Sequence, residues 1–154
     1  MITIRKPTPQ DAIQLSSMLC TDNILREYLG FGDNDKPTAD DFLEKLQSWC
    51  RSRNAVTYVV LLNSTTAVGT ISLSHINKEE KTARTGYWIG SRYRSHGYCS
   101  RAFKLVISEA VERGITKLIS TIAEDNVPSR RIWDKPGGCI VGRDKDRLTY
   151  ELPC

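Results

Sequence analysis

Tyr93-Arg94-Ser95-His96-Gly97-Tyr98-Cys99-Ser100-Arg101-Ala102 lies between a strand-like run, Tyr87-Trp88-Ile89-Gly90, and a helical one, Phe103 to Arg113. A strand, a tight basic turn and a helix start together make a recipe for holding an anion. The first turn of a helix leaves backbone N–H groups without partners, and its dipole places positive potential there. Phosphate oxygens satisfy both. Gly97 lets the backbone approach a ligand closely, because it has no Cβ and tolerates positive φ. The same residues also fit an ordinary strand-to-helix connection. Neither a Walker-type Gly-Lys-Ser/Thr nor a Gly-x-Gly-x-x-Gly occurs in the chain.

Around this turn the chain reads as mixed α/β. Ile2 and Ile4 alternate with polar residues as a first strand. Thr8-Pro9-Gln10-Asp11 caps a helix whose apolar face is Ala12, Leu15, Met18 and Leu19. Residues 28–37 form a Gly- and Asp-rich loop. Thr38 to Asp41 repeats the cap and opens a second helix, on which Phe42, Leu46 and Trp49 recur at helical spacing as core residues. Ala55 to Leu62 and Ala67 to Ser74 read as a hairpin, followed by a solvated charged turn and a third strand, Arg84 to Gly90. The helix after the basic turn carries Ala102, Leu105, Val106 and Ala110 inward and stops at Gly114. Lys117 to Ile122 is a further strand. Val127 to Asp134 is a short helix ended by Pro136-Gly137-Gly138. Cys139 to Val141 and Arg147 to Leu152 close the chain as strands. The expected order is strand, two helices, three strands, helix, strand, helix, two strands, with a βαβ unit around the central helix.

The 154 residues suit one domain spanning 1–154, and 40% apolar with 26% charged is ordinary globular composition. A net charge of +4 does not call for a nucleic-acid partner. The longest aliphatic runs, such as Val59 to Leu62, are too short to cross a bilayer, so no membrane partner is expected. The first residues show no signal-peptide core, and five cysteines without Cys-x-x-Cys spacing suit a reducing compartment, so the expected location is cytoplasmic. His75 and His96 belong to no ligand cluster, and no metal site is expected.

Arg94-x-x-Gly97-x-Cys99 resembles the pyrophosphate loop of the GNAT acetyltransferase superfamily, in which Gln/Arg-x-x-Gly-x-Gly/Ala opens the central helix. Cys99 departs from the small residue preferred there. Asn126-x-x-Ser129 followed by Trp133-Asp134-Lys135 and a glycine resembles the family's late helix. Gly69-Thr70-Ile71 and Gly86-Tyr87-Trp88-Ile89 are similar to central strands of the branch holding ribosomal-protein N-terminal and spermidine acetyltransferases. This resemblance spans nearly the whole chain. It implies a GNAT-like fold: a mostly antiparallel sheet of about seven strands with a splayed parallel pair, flanked by four helices.

It also implies an acetyl-CoA-dependent enzyme that acetylates a primary amine by direct transfer, with a catalytically silent CoA-binding protein as the alternative. The backbone of Ser95, His96, Gly97, Tyr98, Cys99 and Ser100 would hold the pyrophosphate, and Arg94 would add charge. Trp88, Ile89 and Gly90 would pair with the pantetheine arm, and Asn126 would bond its end. Arg92, Arg101, Arg130 and Arg131 are further phosphate candidates or plain solvated surface. An N–H at Ile89 or Gly90 would stabilise the carbonyl oxygen.

Many relatives place an acidic tyrosine where this chain has Trp133. Ser129 is then the candidate acid, or a helix cap. His75 is the candidate base, or a surface histidine before a turn. Asp144, Glu151 or a water chain could serve instead. Cys99 is either a small spacer or an activated nucleophile. The acceptor is expected to be a small-molecule amine or a peptide N-terminus, drawn by acidic residues Asp33, Asp35, Asp40, Asp41 and Glu44, of which Asp40 and Asp41 alternatively serve only to complement a helix N-terminus. The assembly is a monomer or a homodimer.

Overall fold

The computed structural model describes residues 1–154. The elements in chain order are β1 (Ile2–Arg5), α1 (Pro9–Thr21), α2 (Asn23–Leu29), α3 (Ala39–Ser52), β2 (Val56–Leu62), β3 (Thr66–Asn77), β4 (Thr82–Ile89), a 3-10 turn (Ser91–Tyr93), α4 (Tyr98–Glu112), β5 (Lys117–Ala123), α5 (Val127–Asp134), β6 (Cys139–Asp144) and β7 (Arg147–Pro153). The strands form one sheet in the order β1-β2-β3-β4-β5-β7-β6. Every pair is antiparallel except β4 with β5. No helix is long and apolar enough to cross a membrane.

The parallel pair is short. Thr82, Ala83 and Arg84 pair with Lys117, Leu118 and Ile119, and pairing stops there. β4 continues to Ile89 and β5 to Ala123, so the two strands part toward their C-terminal ends. The sheet buries both faces around this opening. One face packs under α4 and α5 as a core of 20 buried residues that includes Tyr58, Ile71, Phe103, Trp133 and Tyr150. The other packs Leu15, Val59, Leu61 and Ala67 beneath α1.

Five helices are present rather than the four expected. The addition, α2, is a short segment in which Leu25, Tyr28 and Leu29 recur at helical spacing, although only Leu25 among its apolar residues is buried. Two tertiary devices hold it. Asp22 caps it by accepting from the Leu25 N–H at 3.1 Å, and the same carboxylate accepts from the N–H and the hydroxyl of Ser91, both at 2.7 Å. Arg26 is buried and donates to the carbonyl oxygens of Leu19, Gly32 and Asp35, which pins the loop that follows. Left-handed Gly30 ends the helix at φ 76°.

Three details of side-chain direction also differ from expectation. α3 has no fully buried residue, and Trp49 is 37% exposed, because α3 rides over an open groove. On α4 Phe103 enters the core while Leu105 faces solvent. β3 runs past Ser74 to Asn77 through an irregularity, and His75 sits in it with φ 50°.

Asp22 ties α2 to the turn after β4, so its protonation is linked to stability. Burial raises its pKa, but the Ser91 hydroxyl and N–H, the Leu25 N–H and the Arg94 charge together hold it below the ordinary value. A depressed carboxylate stabilises the fold fully above the unfolded value of about 4, and the contribution fades as pH falls through the folded value. Asp22→Ala should therefore lower stability near pH 7 by about 1–3 kcal/mol. In urea titrations at several pH values, the gap between wild type and variant should close in acid.

Candidate active site

The basic turn and the start of α4 form one wall of a cavity of about 610 Å³. Ser95 and Gly97 both adopt left-handed backbone, at φ 64° and 77°, which curls the turn into a concave array of amides. From Ser95 through Ser100 no backbone N–H donates to any acceptor in the protein, and Gly97 makes no side-chain cap. Six successive free N–H groups at the N-terminus of a 15-residue helix form a strong anion-binding feature. Arg94 lines the same cavity, and its guanidinium lies 5.4 Å from the Tyr28 ring centroid. Tyr28 comes from α2, so the unexpected helix supplies part of the wall. His96 stacks on Tyr98 at 5.2 Å outside the cavity lining, which leaves its N–H as its contribution.

The opening between β4 and β5 forms the next part. Gly90 N–H donates to Val68 O at 2.8 Å, which makes Val68 and Gly90 a hydrogen-bonded pair of the antiparallel ladder. By alternation, Trp88 is also bonded to β3, whereas the N–H and C=O of Tyr87 and Ile89 face β5. No strand meets them there, because β5 pairs only as far as Arg84. The exposed strand edge is therefore Tyr87 and Ile89, of which the Ile89 carbonyl accepts from the Arg94 Nε–H at 3.4 Å and the N–H groups stay open. Of the expected donors, Gly90 is already engaged and Trp88 points the other way. Gly69 makes the close β3–β4 approach possible, since a Cβ there would strike the Trp88 carbonyl and come within 2.9 Å of Ile89 Cα.

At the base of the cavity the Tyr87 hydroxyl bonds the Ser129 hydroxyl at 2.5 Å. Burial pushes the Tyr87 pKa above the usual tyrosine range, with the Ser129 hydroxyl pulling the other way, so the phenol keeps its proton at neutral pH. Ser129 also donates its N–H to the Asn126 side chain at 3.3 Å, which caps α5 and leaves the Asn126 amide NH₂ free toward the cavity. Trp133 is fully buried against Phe103 and Tyr150. It belongs to the core, and the phenol in this cavity comes from β4 instead. Tyr87 was visible in the sequence as part of a strand, but nothing in a strand pattern announces which hydroxyl will meet Ser129.

Cys99 lines the cavity as a thiol. Burial pushes its pKa up to about 12, which removes the activated-nucleophile alternative. Of the further arginines, Arg131 lines the cavity, while Arg130 is committed to the Tyr150 hydroxyl and Glu124 carbonyl.

A second cavity, of about 430 Å³, opens on the other face of the sheet beneath α3. Tyr87 and Trp88 line both, so the two meet where β4 and β5 part. Phe42, Leu46 and Trp49 form its wall, and Thr57, Thr70, Ser72 and Ser74 line its floor. None of Asp33, Asp35, Asp40, Asp41 or Glu44 lines either cavity, and Asp35 and Asp41 are engaged in capping backbone N–H groups. The acidic rim is thus absent from the groove. His75 lines neither cavity. The backbone irregularity turns it outward, where its Nδ1 meets the Ser74 hydroxyl at 3.1 Å. It lies five residues beyond Thr70, the partner of Trp88, roughly 16 Å along the strand, which is too far for direct contact with an amine at the opening. No three His, Cys, Asp or Glu side chains gather as a metal site requires.

The acetyltransferase (GNAT) domain family matches residues 1–138. No curated protein sequence matches the chain. Among solved structures, RimJ of Mycobacterium smegmatis in complex with CoA-disulfide is 17% identical, with a TM-score of 0.84 over 99% of this chain and 82% of that one. The ribosomal-protein-S5-alanine acetyltransferase of Vibrio fischeri is 19% identical, with a TM-score of 0.82 over 99% and 92%. The spermidine N-acetyltransferase of Vibrio cholerae, solved with CoA and spermine, is 15% identical, with a TM-score of 0.79 over 99% and 95%. Identities this low establish a shared fold, and the family match across residues 1–138 adds the class: the chain belongs to the acetyltransferase (GNAT) domain family.

Proposed function

We propose that the chain, acting as one domain over residues 1–154, moves the acetyl group of acetyl-CoA directly to a primary amine within a ternary complex. The observation that carries this reading is the opening between β4 and β5, where an anion-binding cavity on one face of the sheet meets a polar groove on the other. A donor with a pyrophosphate and an acceptor amine would enter from opposite sides and meet at Tyr87–Ile89. Five free cysteines support a reducing, cytoplasmic setting.

The residues divide the work as follows. The free N–H groups of Ser95 to Ser100, with Arg94, hold the pyrophosphate. The Ile89 edge and the Asn126 amide take the pantetheine arm. Transfer forms a C–N bond at the thioester carbonyl and breaks its C–S bond. An N–H at the free edge of β4 stabilises the carbonyl oxygen as negative charge builds on it. The Tyr87–Ser129 hydroxyl pair donates to the departing sulfur. The amine proton leaves through water along the hydroxyls of Thr70, Ser72 and Ser74, since no histidine or carboxylate lines the groove. That same absence favours a second reading, a CoA-binding protein without transfer activity.

CoA release from acetyl-CoA over a panel of amines separates the two. Turnover above the no-acceptor rate establishes transfer, whereas acetyl-CoA that stabilises the fold without turnover on any amine supports the second reading. Within the active enzyme, Ser129→Ala and Tyr87→Phe should each lower kcat about 10-fold or more with little change in KM for acetyl-CoA. Cys99→Ala should retain kcat, because a thiol that stays protonated at neutral pH is no nucleophile. His75→Gln should change kcat only a few-fold across the pH profile, whereas loss of a direct general base would cost ~100-fold or more.

A further inference from the structure

The groove beneath α3 is lined by two arginines and no carboxylate. Arg84 on β4 and Arg147 on β7 flank β5, and both reach for the same residue on it. Arg84 Nη2 donates to the Thr121 hydroxyl at 2.9 Å, and Arg147 Nη2 donates to the Thr121 carbonyl at 3.4 Å. Both line the groove. Neither forms a salt bridge: the chain's three ion pairs are Arg5 with Asp11, Lys117 with Glu151 and Arg143 with Glu124. No carboxylate lines the cavity. The nearest carboxylates in the strand rows are Glu151, which is engaged with Lys117 at 3.5 Å, and Asp144, which stands opposite Arg147 on β6 but forms no ion pair with it. Two guanidinium groups drawn to one residue repel each other unless something negative lies between or above them. Guanidinium forks match carboxylate and phosphate oxygens in shape as well as charge.

The register sets how far this positive pair lies from the chemistry. Arg84 pairs with Ile119, which puts Thr121 level with Gly86, two residues short of Trp88. At strand spacing that is about 7 Å from the opening where the amine reacts. The hydroxyls of Ser72 and Ser74 border the intervening floor.

We propose that Arg84 and Arg147 form an oxyanion subsite, and that the acceptor is a small primary amine carrying a carboxylate or phosphate about 7 Å from its nitrogen. This rests on the transferase function proposed above and narrows it, since it favours an anionic amine over a polyamine. A cationic acceptor would meet two guanidinium groups and no carboxylate along the groove and be repelled.

The test uses a chain-length series: glycine, β-alanine, γ-aminobutyrate and δ-aminovalerate, with the matching uncharged ω-amino amides, aminoalkyl phosphates, and spermidine. Turnover should rise along the carboxylate series as the anion reaches the arginines. It should fall at least 10-fold in kcat/KM for the matching amides, which lose a charge-assisted contact. The ratio of carboxylate to phosphate turnover at equal length names the oxyanion source. Arg84→Gln and Arg147→Gln should each raise KM for the anionic amines while KM for acetyl-CoA stays unchanged, a split that general misfolding would not produce. Spermidine turned over as well as the anionic amines, with no effect of either substitution, overturns the subsite. Binding provides a readout apart from chemistry: δ-aminovalerate should raise the melting temperature of the CoA-loaded protein, and less so in each arginine variant. Arginine-dependent binding without any turnover would retain the subsite and reject the transferase. Absence of both binding and turnover rejects the subsite.

Discussion

β4 and β5 pair for three residues and then part. Parallel strands joined through a helix ordinarily stay in register along their length, and here that ladder is given up beyond Arg84. The separation leaves the Tyr87 and Ile89 edge of β4 without a strand partner, an unstable arrangement unless something else bonds those groups. It also puts the C-terminal end of β4 directly before the basic turn, so the free strand edge and the free amides of Ser95 to Ser100 face one cavity. The same gap connects that cavity with the groove on the opposite face. Everything the site can do depends on this one missing stretch of pairing.

The turn itself is held from a distance. Its left-handed Ser95 and Gly97 cannot be fixed by local backbone bonds, because the amides that would make them are the ones left free. Asp22, far away in sequence, braces the preceding Ser91 through two bonds, and Arg94 packs over Tyr28 of the same α2 segment. Arg26 in turn ties the loop after α2 to α1, through the carbonyls of Gly32 and Asp35 on one side and of Leu19 on the other. A short polar helix with little core of its own thus serves as the buttress of the turn proposed to bind the anion. This division suits a site that must stay unsatisfied until a ligand arrives: supporting contacts are made by side chains from behind, while the backbone donors point outward.

The two faces of the sheet also differ in character. On the α4 side, aromatic packing of Phe103, Trp133 and Tyr150 dries the floor around Tyr87 and Ser129, which strengthens a short hydroxyl pair there. On the α3 side the floor is hydroxyl-lined, with two arginines and no acid. In the proposed reaction one face would take the leaving sulfur and the other a polar acceptor, and the strand between them presents to each the residues its alternation dictates.

Local chemistry wrote much of this into the sequence. Thr8–Asp11 and Thr38–Asp41 spell the starts of α1 and α3, the 3.6-residue spacing on α4 spells its buried face, and Arg94-x-x-Gly97 before a helix spells the anion turn, because each depends on residues within a few positions of one another. The seven strands and the parallel pair follow from the same short-range patterns and the rule for βαβ units. What could not be read there depends on partners far apart in the chain. α2 exists through Asp22–Ser91 and Arg26. Trp133 is core rather than cavity because Phe103 and Tyr150 close on it. His75 turns away because β3 is irregular at that point. Tyr87 meets Ser129, and Arg84 and Arg147 reach the same Thr121, only after three strands have taken their register. Spacing along a chain specifies an element's face, but which faces meet, and which groups are left without partners, is settled by packing across the sheet.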